Sequence, residues 1–333
     1  KSGSWDDAGT WTLDPSGMQW LNPDTYTPTT SPTASNDEVV VLSGKAVSVT
    51  SNSKINNVLT VTGTLDLGTT TGHSFTTISG SGIIRLAGDN FPAGVATGFT
   101  SPGQGEGTVE FYGNSRNLSN SRTFYNVNVN MTAGNTLTLL TDYVINGNLT
   151  LASGIFSINN TTAAARNITV YGNITVESSG RISTGTGNAR HQLNLYGDFT
   201  NNGEASFTNR TSAVYGSEAA NGIVDVNFLS PDRNQSILCR GITSFYRIEI
   251  DKGPDFTYIL NIDATDTDYF RLYGFANEGH GAASQLTENN NALGLIRGTV
   301  RIGNNIDIPV LSQNAGNYNI SEAAQLWIDN GTV

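Results

Sequence analysis

Short apolar-alternating runs that end in glycine recur along this chain: LTVTG, IIRLAG, VEFYG, YVING, ITVYG, LNLYG and FRLYG. Their glycines fall at Gly63, Gly88 and Gly113, then at Gly147, Gly172 and Gly197, 25 residues apart within each set. The 34-residue gap from Gly113 to Gly147 reads as one rung with a nine-residue insertion, and Gly274 follows after a less regular stretch. Four residues before each glycine stand Leu59, Ile84, Val109, Tyr143, Ile168, Leu193 and Phe270; two before stand Val61, Leu86, Phe111, Ile145, Val170, Leu195 and Leu272. All are apolar or aromatic, and period-two alternation means that one face of a strand is buried. Thr64, Asp89, Asn114, Asn148, Asn173 and Asp198 follow the glycines as a polar column. Gly followed by Asn or Asp is turn chemistry, because these residues tolerate positive φ.

A strand-turn unit that cannot bury its face alone must stack on copies of itself. Without helical segments, a period of this size predicts an all-β, parallel β-helix of about 25 residues per coil. Parallel crossovers favour the right hand. About eleven coils would form a rod on the order of 50 Å long at ~4.8 Å per strand. Inward side chains would stack like on like, and turn asparagines would form hydrogen-bonded ladders. A β-sandwich array also places turns every ~8–12 residues. It does not explain a fixed register with column identity, so the β-helix is preferred.

Composition agrees. The chain holds 41 Thr, 38 Asn, 37 Gly and 30 Ser in 333 residues. These types are poor helix formers and favour turns or strands. Its 29 aromatic residues argue against disorder. No run approaches the ~18 apolar residues of a membrane-spanning helix. A net charge of −11 with 17 basic residues argues against nucleic acid as a partner. Cys239 is the one cysteine, so no internal disulfide is expected. Lys1 is not an initiator methionine and no signal peptide precedes it. Either a leader is removed or the chain is excised from something longer.

Residues 1–45 hold three of the four tryptophans and differ from the remainder. They read as an N-terminal cap in which Trp5, Trp11 and Trp20 seal the first coil, since an open solenoid end would pair with other chains. Residues 46–333 read as the β-helix. The segment AAQLWIDNGTV at 323–333 resembles another coil beginning, with Leu326 and Ile328 alternating. The expectation is that the β-helix continues beyond it.

The opening SGSWDDAGTW, the later PTASNDEVVVLSGKAVSV, and the body segments TFYNVNVN, NTLTLLTDYVINGNLTLASGIFSI and LNLYGDFTNNGEASFTN resemble β-helical regions of large secreted surface proteins of Bacteroidetes-type bacteria. The resemblance covers most of residues 1–210 and weakens afterwards. It implies an extracellular or cell-surface location and export across the outer membrane, often by a type IX route. It also implies a role as an adhesin, stalk or filament, including the adhesins used in gliding motility. The C-terminal sorting domain of such proteins is not visible in the chain. Implied partners are surface glycans, other cell-surface proteins and neighbouring domains of a longer polypeptide.

Catalytic signals are sparse. His73, His191 and His280 fall in unrelated coils, so no nucleophile triad assembles. Cys239 alternates with Ile237 and reads as a core residue. Three scattered histidines and one cysteine do not make a zinc site. Polygalacturonase-like β-helix enzymes use clustered Asp, a Gly-His-Gly and an Arg-Ile-Lys. Here Gly279-His280-Gly281 follows Asp266 and Asp268, but Arg301-Ile302 is followed by Gly303 and the spacing is wrong. Asp263, Asp266 and Asp268 offer oxygen ligands for Ca²⁺; a solvated acidic turn is the simpler reading. Asn-x-Ser/Thr triplets at Asn117, Asn148, Asn167, Asn173 and Asn209 read as chance in so Asn- and Thr-rich a chain. Tyr112, Tyr171, Tyr196 and Tyr273 stand just before the repeat glycines as an outward column. Aromatics on a solenoid face can stack on sugars or a partner, or merely shield the strand-turn junction. The sequence thus predicts a non-enzymatic structural or adhesin segment with no catalytic, cofactor or metal residues. A carbohydrate-binding or polysaccharide-degrading β-helix is the alternative.

Overall fold

A computed structural model describes residues 1–13, 28–33, 35, 37–159, 164–187, 189–209, 222–273, 292–308 and 320–333. Every ladder between strands among them is parallel, and the strands of successive coils pair over the whole length. The protein is an all-β parallel β-helix.

One inward column runs through it. Val47, Leu65, Ile84, Val109, Val127, Leu149, Ile174, Phe199, Ile237, Ile262, Ile302 and Ile328 are successive register partners. All but the last are buried. Gly3 pairs with Val47 ahead of them. These strands rise about 58 Å in total at ~4.8 Å per step. Each apolar side chain covers the one below it, so the core is a continuous stack rather than a central ball.

The 25-residue register is only partly a coil length. Steps along the column are 18, 19, 25, 18, 22, 25, 25, 38, 25, 40 and 26 residues. The early coils carry two strands each. Their second face is a four-stranded sheet of Glu38–Val41, Ile55–Val61, Ser74–Ser79 and Ala93–Val95. A third strand joins from Arg116–Leu118 onward, pairing with Thr136–Leu139, and this lengthens the later coils. The glycine runs are therefore shared among three faces. Leu59 and Val61 lie on the second face beside Val39 and Val41, whereas Ile84 and Leu86 lie on the first, beside Val109 and Phe111. Gly113 and Gly147 also end strands on different faces, so the gap between them is not one rung with an insertion. Phe270 and Leu272 belong to the third face.

The register is true where Tyr143, Ile168 and Leu193 stack, with Ile145, Val170 and Leu195 beside them. There the glycines serve close approach rather than positive φ. A Cβ on Gly172 would lie 2.5 Å from the Gly147 carbonyl oxygen, and one on Gly197 would lie 2.0 Å from that of Gly172. The asparagines after them form the expected ladder. Asn126 Oδ1 accepts the Asn148 N–H at 2.9 Å, Asn148 Oδ1 that of Asn173 at 2.8 Å, and Asn173 Oδ1 that of Asp198 at 2.8 Å. Asp198 then accepts the Ser236 N–H at 2.8 Å.

At the N-terminal end, Trp5 is fully buried and packs edge-on against Trp11, centroids 5.1 Å apart. Trp11 Nε1 donates to the Trp5 carbonyl at 2.8 Å, and Trp5 also contacts Phe75. Trp20 lies outside the described residues. Gly3–Ser4 and Glu38–Val41, within residues 1–45, already pair as strands of the stack. Among the described residues, no helix is long and apolar enough to cross a membrane.

Asn173→Ala removes one ladder bond and leaves the Asp198 N–H unpaired, a loss of about 1 kcal/mol. Gly197→Ala forces coils apart and should cost more, about 1–3 kcal/mol as for overpacked cores. Urea melts of both variants check this; a neutral Gly197→Ala would refute the close-approach role.

Candidate functional site

His73 and His191 are both buried and hold their rings the same way. Nδ1 of His73 accepts the Lys54 N–H at 3.2 Å, and Nδ1 of His191 accepts the Arg166 N–H at 3.0 Å, each reaching back one coil. Burial lowers the pKa of both, with His191 pushed down to about 4 by burial and then by the Arg166 charge. They are neutral acceptors that tie coils together, and they do not meet. His280, with Gly279 and Gly281, lies outside the described residues. Cys239 is fully buried beside Ile237, as its alternation implied. Burial pushes its thiol up to about 12, which leaves no thiolate nucleophile near neutral pH.

The acidic run divides. Asp263 faces Arg301 Nη1 at 3.1 Å and accepts the Asn304 N–H at 3.0 Å. Asp266 Oδ1 accepts the Asp268 N–H at 2.9 Å within its own turn. No group of three His, Cys, Asp or Glu side chains among the described residues is placed to hold a metal ion. Arg301 is held between Asp263 and Asp329, over the Trp327 ring, and Ile302 is in the core. Several sequon asparagines are committed to the fold. Asn148 and Asn173 belong to the turn ladder, Asn209 Oδ1 accepts the Thr184 hydroxyl at 2.7 Å, and Asn167 Oδ1 accepts Asn194 Nδ2 at 2.9 Å. Asn117 is exposed on the strand Arg116–Leu118.

The tyrosine column also separates. The Tyr112 hydroxyl donates to Asp66 at 2.8 Å under the Arg85 guanidinium, 4.2 Å from the ring centroid. Burial and the Asp66 charge push it up to about 12. Arg85 also binds Glu110, which accepts from Asn128, so Tyr112 is one member of a polar ladder across four coils. Tyr273 follows the third-face strand Phe270–Leu272. Tyr171 and Tyr196 remain as neighbours, stacked with centroids 4.7 Å apart and planes at 23°. Tyr171 is 48% exposed. Their backbone N–H groups donate to Ile145 and Val170, which fixes them one coil apart on the same outer face.

A cleft of about 440 Å³ continues this face. Tyr196, Leu229, Pro231, Asp251, Pro254 and Arg297 line it. Leu229 follows Tyr196 directly in the stack, its N–H donating to the Leu195 carbonyl. Asp251 and Arg297 form a two-pronged ion pair, Nη2 to Oδ2 being 3.0 Å. Beneath the rim, buried Lys252 donates to the Arg233 carbonyl at 2.9 Å and to Gln235 Oε1 at 2.7 Å. Burial pushes its pKa down to about 8. It pins the Pro231–Gln235 turn against the stack. Two flat phenol rings, an apolar shelf and a charged fork can together pack on the C–H face of a sugar and hydrogen-bond its hydroxyls. The tyrosines were visible from their register. Leu229, Asp251 and Arg297 were not, because they follow Tyr196 at steps of 33, 22 and 46 residues.

His191 makes the stability pH-dependent. Its folded pKa, about 4, lies below the model value of 6.5. Between these values the unfolded chain binds the extra proton. The contribution is therefore complete above about pH 6.5 and lost as the pH falls to about 4. The melting temperature should drop across that window, and less steeply in His191→Asn, which keeps an acceptor for the Arg166 N–H. An unchanged slope in the variant would refute it. No family model matches the sequence, and neither a curated protein nor a solved structure matches it.

Proposed function

We propose that this chain is a non-enzymatic, extracellular segment of a large bacterial surface protein of the adhesin type: a rigid β-helical rod that presents an adhesive outer face. The observation that carries this reading is the stacked Tyr171–Tyr196 pair, which opens onto the cleft of Leu229, Asp251 and Arg297. Each ring rests on its own coil, so the pair is held by the stack and loses little freedom on contact with a ligand. Glycans of a cell or matrix surface are the partners this chemistry fits.

The rod itself supports the reading. Outward asparagines ladder from Asn167 to Asn194 to Asn227, and outward ion pairs alternate in sign along the first face, as in Asp263–Arg301–Asp329. Such a surface is hydrated without strong net repulsion between coils. Residues 1–210 resemble surface proteins of Bacteroidetes-type bacteria, and on that resemblance export is of the type IX kind, with neighbouring domains in a longer polypeptide and a gliding role among the possibilities.

The test is retention on immobilised neutral and uronic-acid polysaccharides. The wild-type chain should bind and release no reducing sugar. Tyr171→Ala with Tyr196→Ala should lose at least tenfold in affinity with little change in melting temperature, because both rings are outward. Retention unaffected by the double substitution would overturn the glycan-facing assignment. Release of oligosaccharides would replace it with the polysaccharide-degrading alternative.

A further inference from the structure

The second face is not continuous. Its four-stranded sheet ends at Ala93–Val95, which pairs with Ser74–Ser79 on one side only. The next strand on that face, Arg122–Phe124, pairs forward with Tyr143–Ile145 and not backward. A one-turn helix, Thr97–Thr100, takes the place of the pairing. The break is firmly built. The Phe99 side chain is fully buried and its carbonyl accepts the Tyr125 N–H at 2.6 Å. The Thr100 carbonyl accepts Asn146 Nδ2 at 2.6 Å. Gly94 sits at φ +134°, and a Cβ there would lie 1.9 Å from the Phe75 carbonyl oxygen.

A cleft of about 450 Å³ occupies the break, lined by Phe91, Ala93, Thr100, Ser121, Arg122 and Thr123 among others. Arg122 alternates with core residue Phe124, so it shares the inward side of its strand. Its guanidinium carbon is 5.7 Å from the Phe91 ring centroid. Nε is buried and has no hydrogen-bond partner; the nearest carboxylate oxygen, Asp89 Oδ1, is 3.9 Å away, beyond hydrogen-bond range. Asp89 spends its other oxygen on the turn that follows, accepting from Ser119 N–H and from the Asn120 N–H and Nδ2. Tyr143, beside Arg122 in the next strand, is also buried with its hydroxyl unpartnered. Two donors withdrawn from water and unused, next to an open cleft, are rare in native proteins and call for a use.

The chemistry narrows the ligand. A planar arginine fork matches a carboxylate. One positive group, in a chain of net charge −11, suits a singly charged acid better than a polyphosphate. The Phe91 face suits the C–H side of a ring, and the Ser121 and Thr123 hydroxyls suit a polyol. We propose that the cleft between Ala93–Val95 and Arg122–Phe124 binds a carboxylate-bearing sugar residue, with Arg122 holding the carboxylate and Phe91 packing on the ring. This site is separate in its residues from the Tyr171–Tyr196 surface and does not depend on it.

The experiment is a titration of the full chain with D-glucuronate, D-glucose, acetate and inorganic phosphate, followed by NMR. Glucuronate should bind saturably, with the other three at least tenfold weaker. Arg122→Gln should abolish binding, and Arg122→Lys, which keeps the charge but loses the fork, should weaken it at least fivefold. Phe91→Leu should weaken glucuronate but leave acetate unchanged, and Tyr171→Ala should change neither. Absence of saturable glucuronate binding overturns the proposal. So does glucose, acetate or phosphate binding as tightly as glucuronate. If the Arg122 variants do not fold, the wild-type comparison and Phe91→Leu still decide.

Discussion

Parallel strands held about 4.8 Å apart by hydrogen bonds leave an inward side chain one neighbour above and one below. Whatever stands at that position in one coil must be acceptable in the next. The column from Val47 to Ile302 obeys this without a single polar member. Everything else is free to vary around it. A coil can take 18 residues or 40 between one member and the next, provided that it returns to the same place in the stack. The same spacing makes the turns intolerant. Gly172 and Gly197 are needed because carbonyls of the preceding coil press against them, and the asparagines beside them are needed to receive the next coil's N–H groups.

This separation of a fixed interior from a variable outline explains what was legible in the sequence. Period-two alternation and the Gly-Asn turns report the interior, so the β-helix, the core role of Cys239 and the asparagine ladder could all be read. The coil length could not be read correctly. LTVTG and IIRLAG look alike because each is an inward strand ending in a turn, yet they lie on different faces. Nothing in a strand's own sequence says which face it occupies. That depends on how many strands the coil has, and the third strand appears only from Arg116 onward.

The sites were harder still, for the same reason. Tyr171 and Tyr196 stood out because they fall in a stretch where the 25-residue register is true. Their neighbours Leu229, Asp251 and Arg297 arrive after coils of irregular length. Arg122 left no signal at all. In the sequence it is an ordinary residue alternating with Phe124, and only the broken pairing behind it turns an inward arginine toward a cleft. Tyr112 shows the opposite case. It shares the motif of Tyr171 and Tyr196, but its hydroxyl is tied to Asp66 and its ring lies under Arg85.

The column also sets how such a rod meets force. Its hydrogen bonds between coils point along the long axis, and each coil is bonded only to the coils before and after it. A pull along that axis therefore loads the junctions in series, and the weakest opens first. Each freed coil adds its own contour, roughly 60–140 Å for 18–40 residues at ~3.4 Å each, without disturbing the coils that remain. Unequal coil lengths thus become unequal extension steps, and a tether of this construction lengthens in stages under load instead of snapping at one point.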